Sequence, residues 1–431
     1  MKKAVALICA LMLGVYSFAQ TQKKEESKFN NLVKQIRWSV DVLPFTRITK
    51  FDEDTGGLNP QNRIARLDKY NGGLYLRPDL KFKNKAFSFF LKPRFNTDWR
   101  EQKGMETEFY FQQAKLKMQL NDAFYITGGQ YIKSIGTSVY VNPSNPYFLE
   151  SGRLNPKIEL RPMNFVELNF TKENWDFTLI SNVHEGEAEL FDFPFFEFKR
   201  QHGLLVEYYG ESQTIGTIVS ISEDERYHLG FYGQRNLNDA TLVWFDGAVN
   251  YNPNRFYPVE GHSTELLPFE MVNGDENKNY FFSGLVGASY TFSFGPTLNL
   301  EYYYNGKGYD DKTFDLYKET VVAGSLSNFD VIFDLSNLNL GRAANTGMPY
   351  LRRNYIFSQI GENDVFGELN YNFRYFYSID DQSSQFSSLI EWNALDNLEI
   401  FSVFIANIGE KTSSFNNLLN NQLMLGTIWK F

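Results

Sequence analysis

Residues 74–82, LYLRPDLKF, and 87–96, FSFFLKPRFN, decide the fold. In the first stretch the even positions Leu74, Leu76, Pro78, Leu80 and Phe82 are apolar or Pro. The odd positions Tyr75, Arg77, Asp79 and Lys81 are mostly charged. Lys83-Asn84-Lys85 reads as a tight turn. Phe87, Phe89, Leu91, Pro93 and Phe95 then alternate with Ser88, Phe90, Lys92, Arg94 and Asn96. A period of two belongs to a strand with two unlike faces, whereas an amphipathic helix spaces its apolar residues by three and four.

The pattern runs outward from this hairpin over Gln35 to Phe431, in segments separated by Asn, Asp, Gly, Ser and Lys clusters. Short turns are expected near 83–85, 121–123, 172–174, 211–212, 236–239, 293–296, 361–364 and 394–396. They alternate with a second set of connections that contains every long one: 52–70, 135–157, 185–199, 252–279 and 307–351. A sheet in hydrocarbon must close on itself, because lipid offers its backbone no hydrogen bonds. Such barrels have short periplasmic turns and long outer loops. The expectation is an all-β, antiparallel up-and-down transmembrane barrel of about 18 strands with both termini periplasmic. The soluble alternative, a secreted β-sandwich array or solenoid, would not keep Phe, Leu, Val and Tyr on one face through nearly every segment.

Composition agrees. Aromatics make up 17% of the chain, with 41 Phe and 26 Tyr, residues that suit pleated, half-buried surfaces. A mean hydropathy of −0.38 is too polar for a bundle of membrane helices. The one long apolar run is N-terminal and reads as a secretory signal over 1–19. Lys2 and Lys3 precede an apolar core from Ala4 to Tyr16, and Ser17-Phe18-Ala19 places cleavage before Gln20. Cys9, the sole cysteine, lies inside that core behind Ile8, which disfavours lipidation. The mature chain is therefore expected to hold no disulfide and no thiolate metal site. Residues 20–34 read as a short periplasmic lead, and 35–431 as the barrel. The net charge is −9, and −11 once Lys2 and Lys3 leave with the signal, which argues against a nucleic-acid partner.

The chain ends LMLGTIWKF, with Leu423, Leu425, Trp429 and Phe431 on one face. This resembles the C-terminal strand of outer-membrane barrels, where a terminal aromatic serves as the assembly signal. The stretch from Arg353 to Gln359 followed by Asn363-Asp364 resembles late strands of porin-like and alginate-export-like barrels of Gram-negative bacteria. So does the stretch from Asp380 to Gln385, with the hairpin about Asn397. The resemblance implies passive transport across the cell outer membrane and names no substrate. The implied partners are outer-membrane lipid, the barrel-assembly machinery during biogenesis and other outer-membrane proteins.

Catalysis on a barrel needs a His base beside a nucleophile. Of His184, His202, His228 and His262, only His262 adjoins a serine, Ser263, and that pair falls in a long loop. Acidic loop clusters at 52–54, 273–277 and 310–311 lack the spacing of a calcium-binding loop. The expectation is no enzyme, no metal and no cofactor.

The informative charges alternate inward. A Lys or Arg facing lipid at mid-depth costs about 2–4 kcal/mol, so charges on strands turn to water or to each other. Arg77, Lys81, Lys92, Arg94, Lys115 and Lys117 are expected to form a basic wall, with Asp79 among them. Asp176, Glu207, Asp246, Glu301, Glu368 and Glu391, with Arg374, are expected to form a more acidic one. The resulting reading is a porin-like channel for small or anionic solutes. Loop 307–351 is its leading candidate for a constriction or plug, because Val321-Val322-Ala323 and Phe329-Asp330-Val331-Ile332-Phe333 are too apolar for a solvated loop and are expected to bury against the lumen or a partner. The alternatives are a subunit of a larger secretion or assembly complex, and a barrel enzyme acting on lipid.

Overall fold

A computed structural model describes residues 35–54, 56–148, 155–183, 186–189, 194–251, 255–261, 268–273, 279–326, 330–348, 350–416 and 418–431. The signal and lead expected over 1–34 therefore lie outside the described residues, as do His184, His262 and Ser263.

The strands are β1 (Ile36–Phe51), β2 (Tyr70–Lys83), β3 (Phe87–Arg100), β4 (Gly104–Gln119), β5 (Phe124–Tyr131), β6 (Met163–Lys172) and β7 (Trp175–Asn182). After the small hairpin β8 (Gly186–Glu189) and β9 (Pro194–Phe198) come β10 (Gln201–Tyr209), β11 (Gln213–Ser222), β12 (Tyr227–Asn238) and β13 (Thr241–Tyr251). A second small hairpin, β14 (Phe256–Glu260) and β15 (Phe269–Asn273), precedes β16 (Tyr280–Thr291) and β17 (Thr297–Asn305). Two helices follow, α1 (Asp311–Leu326) and α2 (Asp330–Ala344). The chain ends with β18 (Asn354–Val365), β19 (Leu369–Ser378), β20 (Ser384–Leu395), β21 (Leu398–Ile408) and β22 (Leu419–Lys430).

Eighteen of these strands form one antiparallel sheet, the two small hairpins standing apart from it. The sheet closes where β22 pairs with β1, Asp41 opposite Lys430 and Val42 opposite Trp429. All eight expected turns are present, at 84–86, 120–123, 173–174, 210–212, 239–240, 292–296, 366–368 and 396–397. Asparagine makes two of them: the Asn84 side chain accepts from the Ala86 and Phe87 N–H groups at 2.8 Å, and Asn121 repeats this at 2.9 Å. The turn expected at 361–364 sits later, because β18 stays paired through Val365 across a register shift. A bulge opposite Pro93, which has no N–H to donate, resets the parity of β4 and leaves Lys115 and Lys117 inward.

The outer face of the barrel carries the apolar half of each strand, for example Leu74 and Leu76, Leu116 and Met118, Leu425 and Trp429. Exposed Trp38, Trp175, Trp392 and Trp429 lie near the turn end, and Tyr70, Trp99, Tyr227 and Tyr280 near the loop end. Two aromatic girdles around an apolar band are what a bilayer requires of a barrel.

At the loop end, α1 and α2 pack on the hairpin of β14 and β15 and on the connection 52–69. Val321 and Tyr317 are wholly buried there with Leu58, Ile64, Met271 and Leu340. Asp310 caps α1, accepting from the Thr313 N–H at 2.9 Å. The apolar run about Val321 thus buries, as expected, but against other outer loops. The segment that enters the lumen is a different one.

Candidate functional site

The described parts of the connection between β5 and β6, 132–148 and 155–162, fold into the barrel. The first limb is fixed by two carboxylates near the middle of their strands. Asp246 on β13 accepts from the Ser144 N–H at 2.7 Å, the Ser144 hydroxyl at 2.9 Å and the Thr137 N–H at 3.2 Å. Glu301 on β17 accepts from the Val139 N–H at 2.6 Å, the Trp244 indole at 2.8 Å and the Ser138 hydroxyl at 3.1 Å. Both carboxylates are 1% exposed. Their charge is met by a ring of donors rather than by a cation, which is how a buried carboxylate is satisfied. Gly136, at φ +103°, makes the closest approach, and a Cβ there would collide with the Asp246 carboxylate. Asp246 lies five residues from the outer end of β13, so the limb descends about 16 Å at a strand rise near 3.3 Å.

Apolar contacts complete the seating of this limb. Tyr140 and Val141 pack on Trp244, Leu285, Tyr303 and Phe357, while Ile135 and Tyr147 pack on Phe165, Leu205 and Ile218. Tyr140 donates to Gln359 at 2.9 Å.

The return limb is held by ions. The Lys157 ammonium sits between Glu391 at 2.5 Å and Glu399 at 2.6 Å, and Glu399 also holds Lys430 at 3.0 Å. Glu159 takes a two-point contact from Arg94, Nε at 2.7 Å and Nη2 at 2.9 Å. Arg94 also donates to Asp79 at 3.1 Å, and Asp79 pairs with Lys92 at 3.0 Å. Arg77 donates to the Lys157 carbonyl at 2.7 Å, and Gln112 to that of Leu160 at 2.9 Å. The two limbs together touch strands from β2 round to β22, so between them they reach nearly all of the lumen wall.

This arrangement reassigns several charges. Arg94 is 3% exposed and clamps the loop. Asp246 and Glu301 anchor the loop, and Glu391 is paired to Lys157. Arg374 is 6% exposed and spends its Nε on Asn372 at 2.7 Å and Gln359 at 3.2 Å. Glu368 does not stand on a wall. It lies in the turn 366–368, where it accepts from the outward-facing Trp392 at 3.2 Å. Lys81, Lys115 and Lys117 form no ion pair among the described residues. Lys115 lies 4.3 Å from the Tyr131 ring centre and Lys117 3.4 Å from that of Tyr125. Asp176 stands opposite Glu207 on the neighbouring strand, and Glu207 accepts from the Tyr232 hydroxyl at 2.5 Å.

The loop anchors Ser138, Ser144, Lys157, Glu159 and Glu399 were not among the residues singled out from sequence. Their one trace was the Asn, Pro and Tyr content of 135–157, which reads as an ordered connection but not as one directed inward.

The remaining polar clusters are accounted for locally. His202 on β10 contacts the Ser181 hydroxyl at 2.9 Å across the ladder. Buried His228 bonds Asn250 at 2.8 Å and the Ser144 carbonyl at 2.9 Å. Asp52 and Asp54 pair with Lys411 at 3.1 and 2.6 Å, Asp310 pairs with Arg353 at 3.3 Å, and Asp311 pairs with Arg352. No group of three His, Asp or Glu is placed to hold a metal among the described residues.

No family model and no curated protein matches the chain. Solved structures do. Pseudomonas aeruginosa OpdK with vanillate aligns at TM-score 0.53 and 10% identity, covering 92% of this chain and 99% of that one. OccK2 (OpdF) of the same organism, in complex with glucuronate, aligns at TM-score 0.52 and 10% identity, covering 92% and 98%. OccK11 (OpdR) aligns at TM-score 0.52 and 11% identity, covering 92% and 97%. The chain shares the closed antiparallel barrel fold of these Pseudomonas proteins, here built of 18 strands.

Proposed function

We propose that the protein is a diffusion channel of the bacterial outer membrane for small anionic solutes, narrowed by loop 132–162. The observation that carries this is the loop itself, tethered at mid-depth by strand carboxylates while Lys81, Lys115 and Lys117 form no ion pair among the described residues. A lumen sealed for structural reasons would neutralise those lysines, since unpaired charges away from water are costly. Cations on a pore wall lower the barrier for anions and raise it for cations. The molecules bound in the two Pseudomonas structures, vanillate and glucuronate, are small anions.

Purified protein in planar bilayers tests the reading. The expected result is ion conductance with reversal potentials that favour anions. Lys115→Glu together with Lys117→Glu moves them toward cations, more at low salt than at high, because the screening length shortens from about 30 Å at 0.01 M to about 3 Å at 1 M. A folded barrel without conductance, or one whose selectivity ignores the double change, refutes the proposal.

A further inference from the structure

A cleft of about 300 Å³ opens at the turn end of β17, β18 and β19, below the point where loop 132–162 touches the wall. Thr297, Asn299, Gln359, Gly361 and Asn372, all of inward parity, line it together with Glu362. Its chemistry differs from the lysine-lined wall. The groups it presents are carboxamides, a hydroxyl and the Glu362 carboxylate.

Their orientation is set from behind. The Gln359 side-chain oxygen accepts from Tyr140 at 2.9 Å and from Arg374 at 3.2 Å. The Asn372 oxygen accepts from Arg374 at 2.7 Å. With both oxygens committed, the two amide nitrogens remain as donors. Asn299 forms no side-chain hydrogen bond among the described residues and offers both a donor and an acceptor. Gly361 makes the room: a Cβ there would lie 3.0 Å from the Asn372 amide nitrogen and 2.9 Å from the Tyr371 carbonyl oxygen.

We infer that this cleft is an exit subsite for a neutral polyhydroxylated solute, a monosaccharide in size and chemistry. Vicinal hydroxyls both donate and accept, as a fixed set of amide donors with one free carboxamide requires. An apolar solute would leave those amides unpaired, a cost a polar solute avoids. An anion would meet the Glu362 carboxylate in the lining, and Arg374 behind the cleft is buried and engaged with Gln359 and Asn372. The inference rests on the channel reading only for the passage of solute past the loop.

The test is single-channel recording with D-glucose added on the turn side, and tetraethylene glycol as a size-matched control poor in hydroxyls. Glucose is expected to lower conductance saturably, and the glycol only in linear proportion. Asn299→Leu should raise the half-saturating glucose concentration about tenfold, the loss of roughly one net hydrogen bond, with conductance unchanged when sugar is absent, and Gly361→Ala should raise it by filling the space beside Asn372. Equal, linear effects of both solutes, or an unaltered half-saturation in both variants, overturn the subsite. If the wild-type barrel does not conduct, the channel reading fails and calorimetric titration of the detergent-solubilised protein with glucose decides the cleft alone. Saturable heat that Asn299→Leu abolishes supports it, and absence of heat overturns it.

Discussion

Replacing Arg94 with Met should loosen the return limb of the lumen loop without unfolding the barrel. Arg94 gives three hydrogen bonds to carboxylates, two to Glu159 and one to Asp79, from a site that is 3% exposed. Removing one partner of a fully buried ion pair costs about 3–5 kcal/mol, most of it the penalty of the abandoned charge. Glu159 and Asp79 keep 22% and 23% exposure, and Lys92 still covers Asp79 at 3.0 Å, so water and a second cation offset part of that. A local cost of about 2–3 kcal/mol remains, which favours opening of the limb by roughly 30- to 150-fold. The opening stays local, because Lys157 remains held by Glu391 and Glu399. Single-channel recording should show brief upward conductance steps that much more often than wild type, while heat-modifiable gel migration is unchanged. Arg94→Met combined with Glu159→Met removes both charges and should return the statistics toward wild type, since an apolar replacement of a buried pair is often near neutral. Wild-type conductance steps in the folded single variant, or a double variant no quieter than the single, would refute the assignment of Arg94 as the clamp.

Three further outcomes are expected. Deleting Phe431 should reduce the folded fraction on heat-modifiability gels, because the Phe431 backbone closes the seam with Val40 at 2.9 and 3.1 Å and its ring ends the outward stripe of β22; an unchanged folded yield would remove the terminal aromatic from assembly. A cysteine replacing Glu319 on α1 should react with an impermeant thiol reagent on intact cells, and one replacing Lys85 in the turn 84–86 should not; the reverse pattern would invert the barrel in the membrane. Lys307 lies in the outer connection, where burial, and then the charge of Arg255, push its ammonium down to about 8. It is charged below that value and neutral above it, so anion preference should fall as pH rises through about 8 rather than near the ordinary lysine value of 10.5. Reversal potentials measured across this range, with Lys307→Met as the flat control, check the sign.

The sequence by itself determined the barrel. Lipid on one side and water on the other force every strand to alternate, so the local pattern at 74–96 and at 423–431 already carries the face, the parity and the turn-to-loop asymmetry. Even the inward direction of Lys92, Arg94, Lys115 and Lys117 was legible, since strand parity is a local property. What the inward charges do was not. Arg94 and Lys81 look alike in the alternation, yet one is a buried clamp and the other stands without an ion pair. The difference is Glu159, 65 residues further on and inside a loop. Asp246 and Glu301 likewise read as wall charges until Ser144 and Val139 descend onto them. The burial of the segment about Val321 was legible but not its partner, which comes from the connection 52–69 and the hairpin of β14 and β15. Loops have no period, and their placement is decided by contacts between residues far apart in the chain. Only the folded molecule therefore shows that the described limbs 132–148 and 155–162 enter the lumen while α1 and α2 pack on the outer connections.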